Sequence, residues 1–280
     1  MDVSRSAELY DVEAFTPGFM EHLQRSITAS KHTRAHWPSQ LDVAYGEGPA
    51  EKLDIFLTDS PDAPIAIYLH GGFWKASSKN DRAFPAEAFG PAGAIWISQE
   101  YPLAPAATLD DMVACTRRAV AWVYRNADQF GGDPSRIFLC GNSAGGHLVA
   151  MAAATDWAAQ GLPADLVKGV TTLSGLFDLM PLTHTRANDW LKLDLAAAVR
   201  NSPMFRLPDL PCPLICAVGD AEPPEFIEQS ATFAEVWRQK GYPSAYLPMP
   251  GLNHFSIVTE LGDPHSPLTR AMFAQIGVAT

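Results

Sequence analysis

RIFLCGNSAGGHLVAMAAA, residues Arg136 to Ala154, is the stretch from which the rest of this chain can be read. Ile137 to Cys140 is a short, wholly apolar run, the pattern of a strand buried on both faces. Gly141-Asn142-Ser143-Ala144-Gly145 follows, and then an Ala-rich segment without proline that favours helix. A strand passed into a helix through G-x-S-x-G forces its serine into strained dihedrals. A side chain at Gly141 or Gly145 would meet neighbouring backbone. Such a turn holds the Ser143 hydroxyl clear of the sheet at a helix N-terminus, where partial positive charge favours a developing oxyanion. A chance G-x-S-x-G in a loop lacks the strand before it and the helix after it, so Ser143 is read as a nucleophile.

Working outward, the composition limits what such a serine can serve. At 280 residues the chain can bury a large core, and one domain over residues 1–280 is expected. Apolar residues make up 47% and charged residues 18%, which is too apolar for disorder. A net charge of −11 argues against nucleic acid or an anionic membrane as partner. No apolar run approaches the length of a membrane span, and the first residues lack the basic start and apolar core of a signal peptide. Cys115, Cys140, Cys212 and Cys216 fall in apolar strand or helix patterns, the usage of reduced thiols in a cytoplasmic protein. No cofactor or metal is expected, and homodimer formation is left open.

The hydrophobic pattern alternates strand and helix. Gly18 to Ser30 reads as a helix within an N-terminal flap over residues 1–40, a region that also carries His22, His32 and His36 without a recognised ligand spacing. Leu41–Tyr45 and Leu53–Leu57 read as an antiparallel edge pair, and Ile65–Leu69 as a buried strand. A helix over Asp81–Phe89 and a strand at Ala94–Ser98 come next. A long helix follows from Leu109 to Phe130, stopped by Gly131-Gly132. Val167–Leu173, Leu214–Val218 and Ala245–Met249 are further strands; Pro224–Lys240 and Pro267–Ile276 are helices. Residues 181–203 break this rhythm and are expected to form a cap over the active site. The alternation demands a mostly parallel sheet with helices on both faces.

A serine at neutral pH needs a base, and the base needs an orienting carboxylate. In a strand–helix fold with this elbow the chain order is serine, acid, histidine, each on a loop after a strand. His254 follows the last strand and is the base. His147 lies one helical turn beyond Ser143 and His70 precedes a double glycine; both are read as structural. The acid follows Leu214–Val218, where Asp220, Glu222 and Glu225 are available, each also able to cap the next helix. Asp220 is nearest the strand end. Related hydrolases carry the acid just before a proline, nine residues after the proline that opens the strand, and from Pro213 that count reaches Glu222. Glu222 is favoured, with Asp220 second. The backbone around Gly71, Gly72 and Phe73, with the amide of Ala144, is the expected oxyanion hole.

With these residues in hand, the sequence resembles the arylformamidases (kynurenine formamidases) of the hormone-sensitive-lipase-like α/β-hydrolases. The likeness rests on His70-Gly-Gly-Phe-Trp74, Tyr101-Pro-Leu-Ala-Pro105, the elbow, and Ser174-Gly-Leu-Phe-Asp-Leu179 with Pro181. Asn188, Leu191, Leu193 and Ser202-Pro203 extend it, as do Glu222-Pro-Pro-Glu-Phe226 and Asn253-His254-Phe255. Two features depart from the family: the acid is Glu rather than the more usual Asp, and the N-terminal stretch matches the family's Tyr-containing opening poorly. The resemblance implies an α/β-hydrolase fold with a small cap. It also implies cleavage of a formyl group from an aryl amine such as N-formylkynurenine. The substrate would be a small aromatic amide or ester, lined by Trp74, Phe177, Trp190 and Phe255; plain core packing is the alternative for each, and an equal one for Trp190 and Phe177. Alternatives are a short-chain carboxylesterase or an aryl amide or carbamate hydrolase. A non-catalytic binding protein on this scaffold would have no need of serine, histidine and acid together.

Overall fold

Strands form at Ser39–Ala44 (β1), Lys52–Phe56 (β2), Ala63–Leu69 (β3), Ile95–Gln99 (β4), Gly132–Asn142 (β5), Val167–Leu173 (β6), Leu214–Gly219 (β7) and Ser244–Met249 (β8). In the computed structural model, which describes residues 10–279, they make one sheet in the order β1-β2-β4-β3-β5-β6-β7-β8. β1 and β2 pair antiparallel, as do β2 and β4, and every other neighbour is parallel. The fold is that of the α/β-hydrolases. Both edge strands consist mainly of exposed and partly buried positions, whereas β3, β4 and β7 are buried throughout. That is the difference between a sheet edge and strands covered on both faces. Along β3, Ile65, Ile67 and Leu69 enter one core with the helices Leu109–Asn126, Ala144–Ala153 and Pro224–Gln239. Ala66 and Tyr68 enter the other, with Pro267–Ile276.

Because the strands from β3 to β8 run parallel with β4, their C-terminal ends share one rim of the sheet. Leu69, Asn142, Leu173, Gly219 and Met249 end their strands there, and the loops after them carry the candidate site residues.

Most elements follow the hydrophobic pattern, and the exceptions have local causes. The segment expected as one helix over Asp81–Phe89 is a 3-10 turn at Lys79–Arg82 and a separate helix at Ala86–Phe89. Pro85 between them has no N–H to extend a helical ladder. The helix expected to reach Phe130 is α-helical only to Asn126 and continues as a 3-10 turn to Phe130. The N-terminal helix runs from Phe19 to His36, past the expected Ser30, and stops at Trp37, which is extended ahead of Pro38. The helix is fixed to the sheet: Arg34 bonds Asp54 and Asn80, while Ser30 Oγ accepts from the amides of Ala83 (3.0 Å) and Phe84 (3.3 Å). Of the flap expected over residues 1–40, residues 1–9 lie outside the described residues.

Residues 181–203 form a 3-10 turn at Met180–His184 and short helices at Asn188–Leu191 and Leu195–Arg200. Trp190 Nε1 donates to Phe73 O (2.9 Å), tying this segment to the loop after β3.

Candidate active site

Ser143 adopts φ 54°, ψ −121° between β5 and the helix Ala144–Ala153, and its amide donates to Leu173 O (2.7 Å). Its flanking glycines are required by close packing. A Cβ at Gly145 would stand 2.0 Å from Leu69 O, and one at Gly141 would stand 2.5 Å from Gly145 backbone. Ser143 is buried and lines a cavity of about 380 Å³ together with His254, Gly72 and Phe73.

His254 follows β8 in a turn built by Asn253, whose Oδ1 accepts from the amides of Phe255 (3.0 Å) and Ser256 (2.9 Å). The ring packs edge-on against Phe226 (4.6 Å between centroids), and its Nδ1 lies 2.6 Å from Glu222 Oε2. The second Glu222 oxygen accepts from Gly219 N (2.7 Å) and Ser174 Oγ (2.5 Å). Two donors on one oxygen and the imidazole on the other fix the carboxylate, which is buried with the ring. Asp220 instead faces outward and accepts from Gly251 N (2.6 Å), bracing the loop that carries His254. Of the acids after β7, Glu222 is therefore the one brought to the imidazole.

The loop after β3 is held from several sides. His70 is buried and stacked on Tyr101 (4.4 Å), with Nδ1 2.8 Å from Gly71 O and Nε2 2.8 Å from Glu100 Oε1. Burial opposes charge on Glu100, but bonds from His70, Ser78 and the Lys79 amide outweigh it and hold the carboxyl below its usual range. Gly72 (φ 112°) and Phe73 (φ 48°) lie in the left-handed region, and a Cβ at Gly72 would stand 2.2 Å from Ala76 O.

Gly71 does not serve as expected. Its N–H donates to Asn142 Oδ1 (2.8 Å), which also accepts from Tyr68 Oη (2.6 Å), so that amide is already used. Among the described residues no acceptor takes the N–H of Gly72 or Phe73. Ala144 is the first residue of its helix, where amides have no intrahelical partner.

His147 is buried and packs under the loop after β3. Its Nε2 lies 2.7 Å from Asn201 O, and its Nδ1 accepts from Trp74 Nε1 (3.3 Å). Burial pushes its pKa down to about 4, so the ring is neutral and structural.

Two of the four expected aromatic wall residues are elsewhere. Trp74 is fully buried behind the loop, against His147, and Phe177 is stacked on Phe233 (4.0 Å) in the core. Both fell within an apparent family motif, but the motif's job at these positions is packing. Trp190 and Phe255 do line the cavity, with Phe73. The opposite wall comes from the N-terminal helix, through His22, Leu23, Ser26 and Ile27. The flap over residues 1–40 was expected at the active site, but sequence reasoning named none of its four residues as wall; nor did it single out Asn142, Glu100 and Arg82, or give Ser174 its hold on Glu222. Glu100 just after β4 and Asn142 inside the elbow were the available signals: both are polar residues at strand ends on this rim, Asn142 lining the cavity and Glu100 bracing His70. Among the described residues no group of three or more His, Cys, Asp or Glu is placed to hold a metal.

The BD-FAE family model matches residues 53–206. Kynurenine formamidase of Danio rerio is 33% identical over 91% of this chain and 88% of its own length. That of Salmo salar is 35% identical with the same coverage of each chain. A crystal structure from Silicibacter sp. TM1040, provisionally described as a thioesterase, superposes with TM-score 0.84 at 28% identity, over 94% of this chain and 97% of that one. With its elbow, buried Glu222–His254 pair and HGG loop sharing one rim, the chain belongs to the kynurenine formamidase family of α/β-hydrolases.

Proposed function

We propose that this hydrolase of the formamidase and esterase type removes a formyl group from an aryl amine of the N-formylkynurenine kind. Ser143 is the nucleophile, His254 its base and Glu222 the anchor of the base. With its Nδ1 proton directed at Glu222, the imidazole keeps Nε2 free to accept. Ser143 Oγ attacks the formyl carbon as its proton passes to His254. The tetrahedral oxygen is met by the amides of Gly72, Phe73 and Ala144. The C–N bond then breaks, His254 returns the proton to the leaving amine, and water attacks the formyl-enzyme to release formate. Phe73, Trp190 and Phe255 give the aryl group its apolar walls, in a cavity of about 380 Å³, within the usual range for small-molecule sites.

The observation that carries this reading is a serine at positive φ sharing a cavity with a histidine oriented by a buried carboxylate, in a chain of this family. An apolar pocket separates formyl from acetyl by only about 1–3 kcal/mol, so ester hydrolysis accompanies the main activity. Parallel measurements of kcat/KM on N-formylkynurenine and 4-nitrophenyl acetate test the assignment. Preference for the formamide supports it, and preference for the ester by orders of magnitude replaces it with a short-chain carboxylesterase. Four buried, unpaired cysteines support a cytoplasmic setting, and no helix among the described residues is long and apolar enough to cross a membrane.

A further inference from the structure

Arg82 is 5% exposed and lines the same cavity as Ser143 and His254. Burying a guanidinium without a counter-charge is costly, and buried arginines are normally paired. Among the described residues Arg82 has no ion pair. Its guanidinium donates to Asp81 O (2.8 Å) and stands beside the neutral Tyr68 hydroxyl, and its Nε, fully buried, has no acceptor at all. The position is nonetheless built with care. The Arg82 carbonyl accepts from Ser98 Oγ (2.9 Å) and Trp96 Nε1 (3.3 Å), and the next two amides donate to Ser30 Oγ. Backbone held on three sides fixes where the side chain starts, so the missing partner is not explained by a loose loop.

The other charged groups on the cavity do not neutralise it. Asp81 accepts from Ser77 Oγ (3.4 Å) rather than turning to the guanidinium. Glu13 is exposed, on the short helix Val12–Phe15. Lys75 lies over the Trp190 ring (4.1 Å) and adds positive charge, and His22 and His254 are not anions. A planar, unpaired guanidinium in a substrate cavity fits a carboxylate. We propose that Arg82 is the residue that binds a carboxylate on the leaving group, so the enzyme's substrates are acyl derivatives of aromatic amines or phenols that carry an acid. The inference rests on reading this cavity as the substrate pocket, and it does not depend on whether the acyl group is formyl.

Two esters with the same acyl group separate the ideas: phenyl acetate and 3-acetoxybenzoate, whose leaving phenol bears a carboxylate. The ratio of kcat/KM for the acid ester over the neutral one is expected to fall by at least about tenfold in Arg82→Gln, mainly through KM. Arg82→Lys, which keeps the charge, should recover most of that ratio. A change of less than about twofold in the ratio for Arg82→Gln, with both esters losing activity together, would show a packing role and overturn the proposal. The wild-type enzyme gives a second test that needs no variant. 3-Phenylpropanoate should inhibit phenyl acetate hydrolysis competitively at least about tenfold more tightly than 3-phenylpropanamide, and equal inhibition also overturns it. Because both tests use esters, a poor rate on N-formylkynurenine would remove the formamidase reading without touching this one.

Discussion

Glu222→Gln changes one oxygen to an NH2 group at a position where both oxygens are committed. Oε2 faces His254 Nδ1 at 2.6 Å, and Oε1 accepts from Gly219 N at 2.7 Å and Ser174 Oγ at 2.5 Å. If the glutamine oxygen serves His254, its NH2 is pressed against the Gly219 N–H, a buried donor–donor contact costing about 1–3 kcal/mol. If the NH2 faces His254, the ring must carry its proton on Nε2 and can no longer accept the serine proton. Either way the imidazolium formed during attack loses its neighbouring anion. The equivalent exchange in Ser-His-Asp triads lowers kcat by about ten-thousandfold. At about 1.4 kcal/mol per decade, the expected loss here of about a thousandfold to ten-thousandfold is roughly 4–5.5 kcal/mol. Asp220→Asn is the matched control: Asp220 is exposed, and Asn retains an oxygen for Gly251 N–H, so a loss within about threefold is expected. The assay is 4-nitrophenolate release from 4-nitrophenyl acetate, with urea unfolding to show that each variant is native. If Glu222→Gln keeps more than about a tenth of kcat, or Asp220→Asn falls as far, Glu222 is not the anchoring acid.

Three further outcomes follow from the packing. His147, with its pKa lowered by burial to about 4, binds a proton more readily unfolded than folded; its contribution is complete above the ordinary value of 6.5 and is lost as pH falls toward 4. Between pH 7.5 and 5 the wild type should lose roughly 2 kcal/mol of unfolding free energy that His147→Gln does not, and equal losses would contradict the neutral buried ring. Gly145→Ala forces a Cβ to within 2.0 Å of Leu69 O, so it should cost about 3 kcal/mol or more, and an unchanged thermal midpoint would show that the elbow tolerates a side chain. Asn142→Ala strips the acceptor from the Gly71 amide and the Tyr68 hydroxyl, two buried donors. A drop of roughly 2–4 kcal/mol in unfolding free energy is expected, and no change in urea midpoint would refute that role.

Much of this was legible in the sequence because the signals were local. The apolar run before Gly141, the double glycine after β3 and the histidine after β8 each sit a fixed step from a strand end, and the parallel sheet brings strand ends together. What stayed hidden depended on distant packing. Nothing local tells that Trp74 turns back onto His147 whereas Trp190, from a segment more than a hundred residues away, bonds Phe73 O and faces the cavity. The Gly71 amide looked like an oxyanion donor until Asn142 was seen to occupy it. Arg82 gave no sign in sequence, because an arginine on a polar turn is ordinarily solvated, and only the folded chain shows it buried without an acid. The acid was the intermediate case: a count from Pro213 reached Glu222, but Asp220 remained open until the imidazole was located.

The proposed mechanism requires that one hydroxyl, on Ser143, take up the acyl group. Treating the enzyme with a fluorophosphonate probe and mapping the adduct by peptide mass spectrometry tests it most directly. A single adduct is expected on the peptide containing Ser143, formed in step with loss of hydrolysis and absent from Ser143→Ala. Inactivation with the label on another residue, or full hydrolysis by Ser143→Ala, would contradict it.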